Sequence, residues 1–110
     1  MTVIEINKNN FQEEVAESEI PVIMDFFADW CGPCQMIKPI FESISKNYEG
    51  KLKFVKVDTE ENPELANKFG IQGIPCLVIA KNGEEVDRII GALPEPNLKE
   101  KINEILENIN

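Results

Sequence analysis

The stretch Val22-Ile23-Met24-Asp25-Phe26-Phe27 limits the possible folds of this chain more than any other. It is apolar without alternation except at Asp25, so a strand here must be buried on both faces, as in the middle of a sheet covered on both sides. Six residues later a helical pattern begins. From Pro33 onward, Met36, Ile37, Ile40, Phe41, Ile44 and Tyr48 recur at three- and four-residue spacing, an amphipathic helix of about four turns. Pro33 suits a first helical turn, where its missing N–H is not needed. Pro39 falls within the pattern and is expected to kink the helix without ending it, and Gly50 stops it. A covered sheet feeding a helix directly is the signature of an α/β fold.

The link between the two is Trp30-Cys31-Gly32-Pro33-Cys34, which places Cys31 at a helix N-terminus and Cys34 one turn in. Unpaired N–H groups and the positive end of the helix dipole favour an anion, so the Cys31 thiol is expected to be unusually acidic. Two intervening residues on a helical turn let the sulfurs approach closely enough to bond. Such a pair can cycle: Cys31 attacks a disulfide and Cys34 resolves the mixed disulfide. Structural zinc needs four ligands, and this chain has three cysteines and no histidine.

The remaining chain supplies further elements. Thr2–Ile6 reads as a short strand. Asn10, with Glu13 three residues on, reads as the cap of a helix running to about Ser18, with Phe11 and Val15 inward. Leu52–Asp58 and Cys76–Ala80 read as strands, and Asn62-Pro63 starts a short helix that turns Leu65, Ala66 and Phe69 inward before Gly70. Asn82-Gly83 is a two-residue hairpin signal leading into a strand over 85–91. A last helix over 96–109 carries Leu98, Ile102, Ile105, Leu106 and Ile109 on one face. The order βαβαβαββα predicts a three-layer α/β/α sandwich with a mixed central sheet. Strands separated by helices are expected to be parallel neighbours, with the closing hairpin adding antiparallel strands. At 110 residues a single domain over 1–110 is expected.

The chain is identified as a member of the thioredoxin family by Asp25-Phe26, Ala28, Trp30 through Cys34, Pro39, Lys56-Val57-Asp58, Gly70-Ile71, Gly73-Ile74-Pro75, Lys81-Asn82-Gly83 and Gly91-Ala92. The resemblance covers nearly the whole chain. It implies the thioredoxin fold and a protein-disulfide reductase with Cys31 as nucleophile and Cys34 as resolving thiol. A separate thioredoxin reductase would recycle it, and disulfide-containing proteins would be its substrates. Gly32 and Pro33 between the cysteines resemble reductases; oxidases of this fold carry other pairs. A non-catalytic binding module on the same fold would not need both thiols.

Asp25 stands alone in its apolar strand, where burial should raise its pKa, and alternation puts it on the face of Phe27, beneath the cysteine helix. The resemblance makes it the buried acid that exchanges a proton with Cys34; the plainer alternative is a hydrogen-bonded structural aspartate. Lys56 is its implied charge neighbour, or else a solvated strand lysine. Pro75 belongs at the first position of an interior strand, where no ladder donor is needed. The resemblance implies that the Ile74–Pro75 bond is cis and faces the disulfide. It also implies that Trp30, Gly73, Ile74, Pro75, Gly91 and Ala92 form a flat apolar collar for an extended substrate segment, although Gly91 could simply end a strand.

Three positions depart from the family pattern: Phe27 replaces a second tryptophan, Gln35 a lysine and Cys76 a threonine. Cys76 is expected to be an inert buried thiol, with a regulatory thiol as the alternative. A net charge of −9 argues against nucleic acid or anionic membrane as partners. No basic segment followed by an apolar stretch opens the chain, and no run reaches membrane-spanning length. A monomer in a reducing cytoplasm is expected. No Gly-rich dinucleotide loop is present, so no cofactor or metal of its own is expected.

Overall fold

The computed structural model describes residues 3–109. Five strands, β1 (Val3–Glu5), β2 (Val22–Phe27), β3 (Lys53–Asp58), β4 (Cys76–Lys81) and β5 (Glu84–Ile90), form one sheet in the spatial order β1-β3-β2-β4-β5. The helices are α1 (Gly32–Ser45), α2 (Pro63–Lys68) and α3 (Glu95–Ile109), with a π-helical turn at Gln12–Ala16 between β1 and β2. β2, apolar except at Asp25, takes the middle position, with β3 parallel on one side and β4 antiparallel on the other. The fold is the expected α/β/α sandwich with a mixed sheet.

Alternation along the strands divides the core in two. On one face Ile23, Phe54, Leu77, Ile79 and Ile89 pack with Ile37, Phe41 and Ile44 of α1 and Leu98, Ile102 and Ile105 of α3. On the other, Val22, Met24, Phe26, Val55, Val57 and Val78 pack with Val15 of the π turn, Leu65 of α2 and Phe69. Phe41 of α1 stacks at a tilt on Phe54 of β3, ring centroids 4.8 Å apart, and is 2% exposed. Truncating such a ring to alanine costs about 3–5 kcal/mol, so this contact helps hold the cysteine-bearing helix on the sheet.

The expectation of parallel neighbours is corrected at two places. β1 and β2 run parallel but are not adjacent, since β3 lies between them. β3 and β4 are separated by a helix but are neither parallel nor adjacent; β4 pairs antiparallel with β2. A six-residue helix rises roughly 9 Å, whereas returning along a six-residue strand takes roughly 20 Å. α2 is too short to carry the chain back, so β4 enters the sheet from the end at which β2 and β3 finish. That end therefore collects Phe27, Asp58 and Cys76, with Cys31 just beyond.

Local differences have local causes. Asn10 does not cap a helix: its Oδ1 accepts from the Asn7 N–H at 2.8 Å and its Nδ2 donates to the Glu5 carbonyl at 2.9 Å. The turn it precedes widens to a π step, with the Glu17 N–H bonded to the Gln12 carbonyl. Asn62 makes no side-chain cap either. Its Nδ2 donates instead to the Asp58 carbonyl at 3.1 Å, back into the turn after β3. α1 runs through Pro39 and ends at Ser45, with Tyr48 buried in the turn beyond. Met36 lies off the inward phase set by Ile37, Phe41 and Ile44 and is 70% exposed. Asn82 and Gly83 both take positive φ, 55° and 81°, as a tight two-residue hairpin requires. The start of the first strand expected at Thr2 lies outside the described residues.

Candidate active site

Chain geometry at the end of β2 sets the site. Past Phe27 the chain turns, with the Cys31 N–H bonded to the Ala28 carbonyl at 3.2 Å, and Cys31 takes the extended conformation of an N-cap. α1 starts at Gly32, and Pro33 in its first turn has no N–H to leave unpaired. The Cys34 N–H points at Cys31 Sγ, 3.2 Å away. The Cys31 sulfur thus occupies the place of a capping oxygen, where an orphan helix donor and the helix dipole both favour negative charge.

Cys31 and Cys34 are joined as a disulfide, with Cα atoms 5.2 Å apart. With Ala28 they form a small cluster of their own, flanked by Phe27 and Ile74. The Ile74–Pro75 bond is cis, and the Ile74 carbonyl oxygen lies 3.8 Å from Cys31 Sγ. The Gly91 N–H bonds to the Pro75 carbonyl at 3.0 Å, which ties the end of β5 to the same loop. Around the sulfurs, Trp30 is 71% exposed, Gly32, Pro33, Gly73 and Ala92 are exposed, Ile74 and Gly91 are half-buried, and Pro75 is buried. Exposed Met36 and Ile90 add apolar surface that the sequence reading did not assign. The phase of α1 would have revealed Met36, since the inward positions 34, 37, 41 and 44 exclude it.

Asp25 is 4% exposed, between Lys56 of β3 and Leu77 of β4, and on the α1 face of the sheet. Its Oδ1 accepts no hydrogen bond among the described residues. Burial pushes its pKa from 3.8 up to about 7, with the Lys56 charge pulling the other way. Asp25, Lys56 and Cys34 line one cavity of about 70 Å³, closed by Phe27, Asp29, Gln35 and Lys38. Asp29 and Lys38 were not among the expected site residues; both follow from the register of α1 over β2. The arrangement brings together a bonded sulfur pair, a carboxyl able to change protonation near neutral pH and a route between them.

Cys76 stands apart. Alternation along β4 turns it to the α2 face, away from α1, where it is 1% exposed in the cluster with Phe26 and Phe69. Burial pushes its thiol pKa up, with Arg88 pulling it down.

A family model described as Thioredoxin matches residues 2–104. The chain is 44% identical to Thioredoxin 1 of Nostoc sp. over 93% of this chain and 95% of that protein. It is 45% identical to a thioredoxin of Synechocystis sp. over the same shares. It is also 46% identical to the chloroplastic M-type thioredoxin of Pisum sativum over 92% of this chain and 59% of that protein. Matched across nearly its whole length, and with its two active-site sulfurs close enough to bond and part, this chain belongs to the thioredoxin family and is a thiol–disulfide oxidoreductase.

Proposed function

We propose that the chain is a cytoplasmic protein-disulfide reductase, recharged by a thioredoxin reductase and acting as a monomeric single domain without a cofactor or metal of its own. The observation that carries this reading is the Cys31 sulfur, which accepts the Cys34 N–H and faces the Ile74 carbonyl of the cis-proline loop. Among the described residues no helix is long and apolar enough to cross a membrane.

In the reduced protein the Cys31 thiolate attacks one sulfur of a substrate disulfide. A mixed disulfide forms, and the other substrate sulfur leaves as a thiolate that takes up a proton. Cys34 then gives its proton to the Asp25 carboxylate and attacks Cys31 Sγ. The Cys31–Cys34 bond forms, and the second substrate thiolate departs and is protonated. Two electrons and two protons have passed to the substrate. A carboxyl held near pH 7 suits this exchange, since a proton acceptor works best with a pKa close to the working pH. Lys56 keeps that value from rising further. Trp30, Gly73, Ile74, Pro75, Gly91 and Ala92 offer the substrate chain its apolar contact, with Gly32 and Pro33 keeping the approach to Cys31 open.

Insulin reduction with dithiothreitol as electron source tests the reading. The protein should accelerate it, Cys31→Ser should abolish the acceleration, and Cys34→Ser should accumulate mixed disulfides at Cys31. Full activity in either single variant would exclude the two-thiol cycle.

A further inference from the structure

Arg88 of β5 occupies a position that no step of the redox cycle uses. Its Nη2 donates to the Phe69 carbonyl at 2.6 Å, and its Nη1 lies 4.0 Å from Cys76 Sγ. Phe69 follows the end of α2 and Cys76 opens β4, so one guanidinium touches both ends of the loop Gly70–Pro75. That loop carries Gly73, Ile74 and Pro75 to the Cys31–Cys34 pair. Among the described residues Gln72, Gly73 and Ile74 take part in no backbone–backbone hydrogen bond. The loop is therefore held chiefly at its base. There, Arg88 pairs a carbonyl at the end of a helix, which has no partner within the helix itself.

Glu85 holds the guanidinium in place, with Oε1 accepting from Nη2 and Oε2 from Nε, both at 2.6 Å. Residues three apart on a regular strand point to opposite faces. Here the pairing steps from Ile79–Asp87 to Ala80–Glu85, leaving Val86 as an extra residue on β5. This bulge turns Glu85 to the face of Arg88 and makes the two-pronged pair possible. The side chains are 27% and 28% exposed, so the pair is only partly screened by water.

We infer that Arg88 is a positioning residue for protein substrates: aimed by Glu85 across the Val86 bulge, it staples the base of the Gly70–Pro75 loop and fixes the surface that a substrate chain meets beside Cys31. This rests on reading Gly73–Pro75 as a substrate contact. A small disulfide, which needs only the sulfur, should be indifferent to the staple.

The test uses the reduced full chain as wild type, Arg88→Met and Glu85→Gln. Single-turnover oxidation by insulin and by hydroxyethyl disulfide is followed through Trp30 fluorescence, and amide exchange is read over residues 70–75. Losing hydrogen bonds to a charged group should slow Arg88→Met about tenfold with insulin and speed exchange in the loop about tenfold. Its rate with hydroxyethyl disulfide should stay within about twofold of wild type. Glu85→Gln, which keeps the guanidinium, should move the same readouts less. Equal slowing with both disulfides, together with faster exchange throughout the chain, would reduce Arg88 to a general stabiliser and overturn the inference. Unchanged loop exchange in both variants would overturn it as well. Failure of the wild type to reduce insulin would instead defeat the substrate reading, and the exchange data would still decide whether the staple exists.

Discussion

Cys31, Cys34 and Cys76 are almost equally buried, at 4%, 3% and 1% exposure, yet the two faces of the sheet treat them in opposite ways. On the α1 face, Cys31 receives a helix N–H and shares its cluster with a second sulfur, and that second sulfur shares a cavity with an unpartnered carboxyl. On the α2 face, Cys76 sits within a strand paired on both sides and packs among apolar side chains, with Arg88 at its margin. Burial alone therefore does not set a thiol's reactivity. Reactivity follows from donors aimed at the sulfur and from a nearby group that can take its proton. Cys31 also lies outside the sheet, where a partner can reach it without breaking a strand ladder.

The sharpest contrast should appear in thiol labelling. In the reduced protein Cys31 should react at least about a thousandfold faster than Cys76, because reaching Cys76 requires an opening of the central sheet. The oxidised protein should show almost no rapid reaction and then one equivalent on unfolding, from its single free cysteine. Rapid native labelling of Cys76, or its recovery in a disulfide, would erase the distinction between the faces.

Asp25→Asn should reveal what the carboxyl costs the fold. Folded Asp25 keeps its proton up to about pH 7, whereas the unfolded chain releases it near 3.8. The folded state thus binds more protons between these values, and stability falls as pH rises through the interval. The full difference amounts to roughly 4 kcal/mol. Denaturant melts should show Asp25→Asn more stable than wild type by up to about that amount at pH 8, with the gain shrinking towards pH 4. Turnover should slow, and its rise through pH 7 should flatten. A stability loss with unchanged turnover would make Asp25 a structural residue.

The smallest effect concerns the rim. Trp30 is 71% exposed, so Trp30→Ala should change stability by no more than about 0.5 kcal/mol. It should still slow insulin reduction a few-fold, through lost contact with the substrate chain. A large drop in melting temperature would mean that the ring supports the site from within.

Most of the site could be read in the sequence because its parts are local. A both-faces-apolar strand, a proline at a helix start and two cysteines one turn apart specify a strand-to-helix junction without knowledge of the rest. Asp25 was visible for the same reason, as one carboxyl where apolar packing was otherwise complete. What could not be read depended on distant geometry. The reversal of β4 follows from the length of α2 against that of the strands, and pattern alone suggested a parallel neighbour. Asn10 and Asn62 carry capping chemistry, but their side chains bond backbone groups of the preceding turn instead. The Glu85–Arg88 pair depends on an extra residue at Val86, and three-residue spacing on a strand would have separated the two.

The most direct test of the central claim is the redox equilibrium of the Cys31–Cys34 pair with glutathione. A disulfide reductase should be found oxidised in all but strongly reducing mixtures, with a potential in the range of thioredoxins, about −270 mV. A value near that of a disulfide donor, about −120 mV, would contradict the reductase reading and make the same two sulfurs an oxidant.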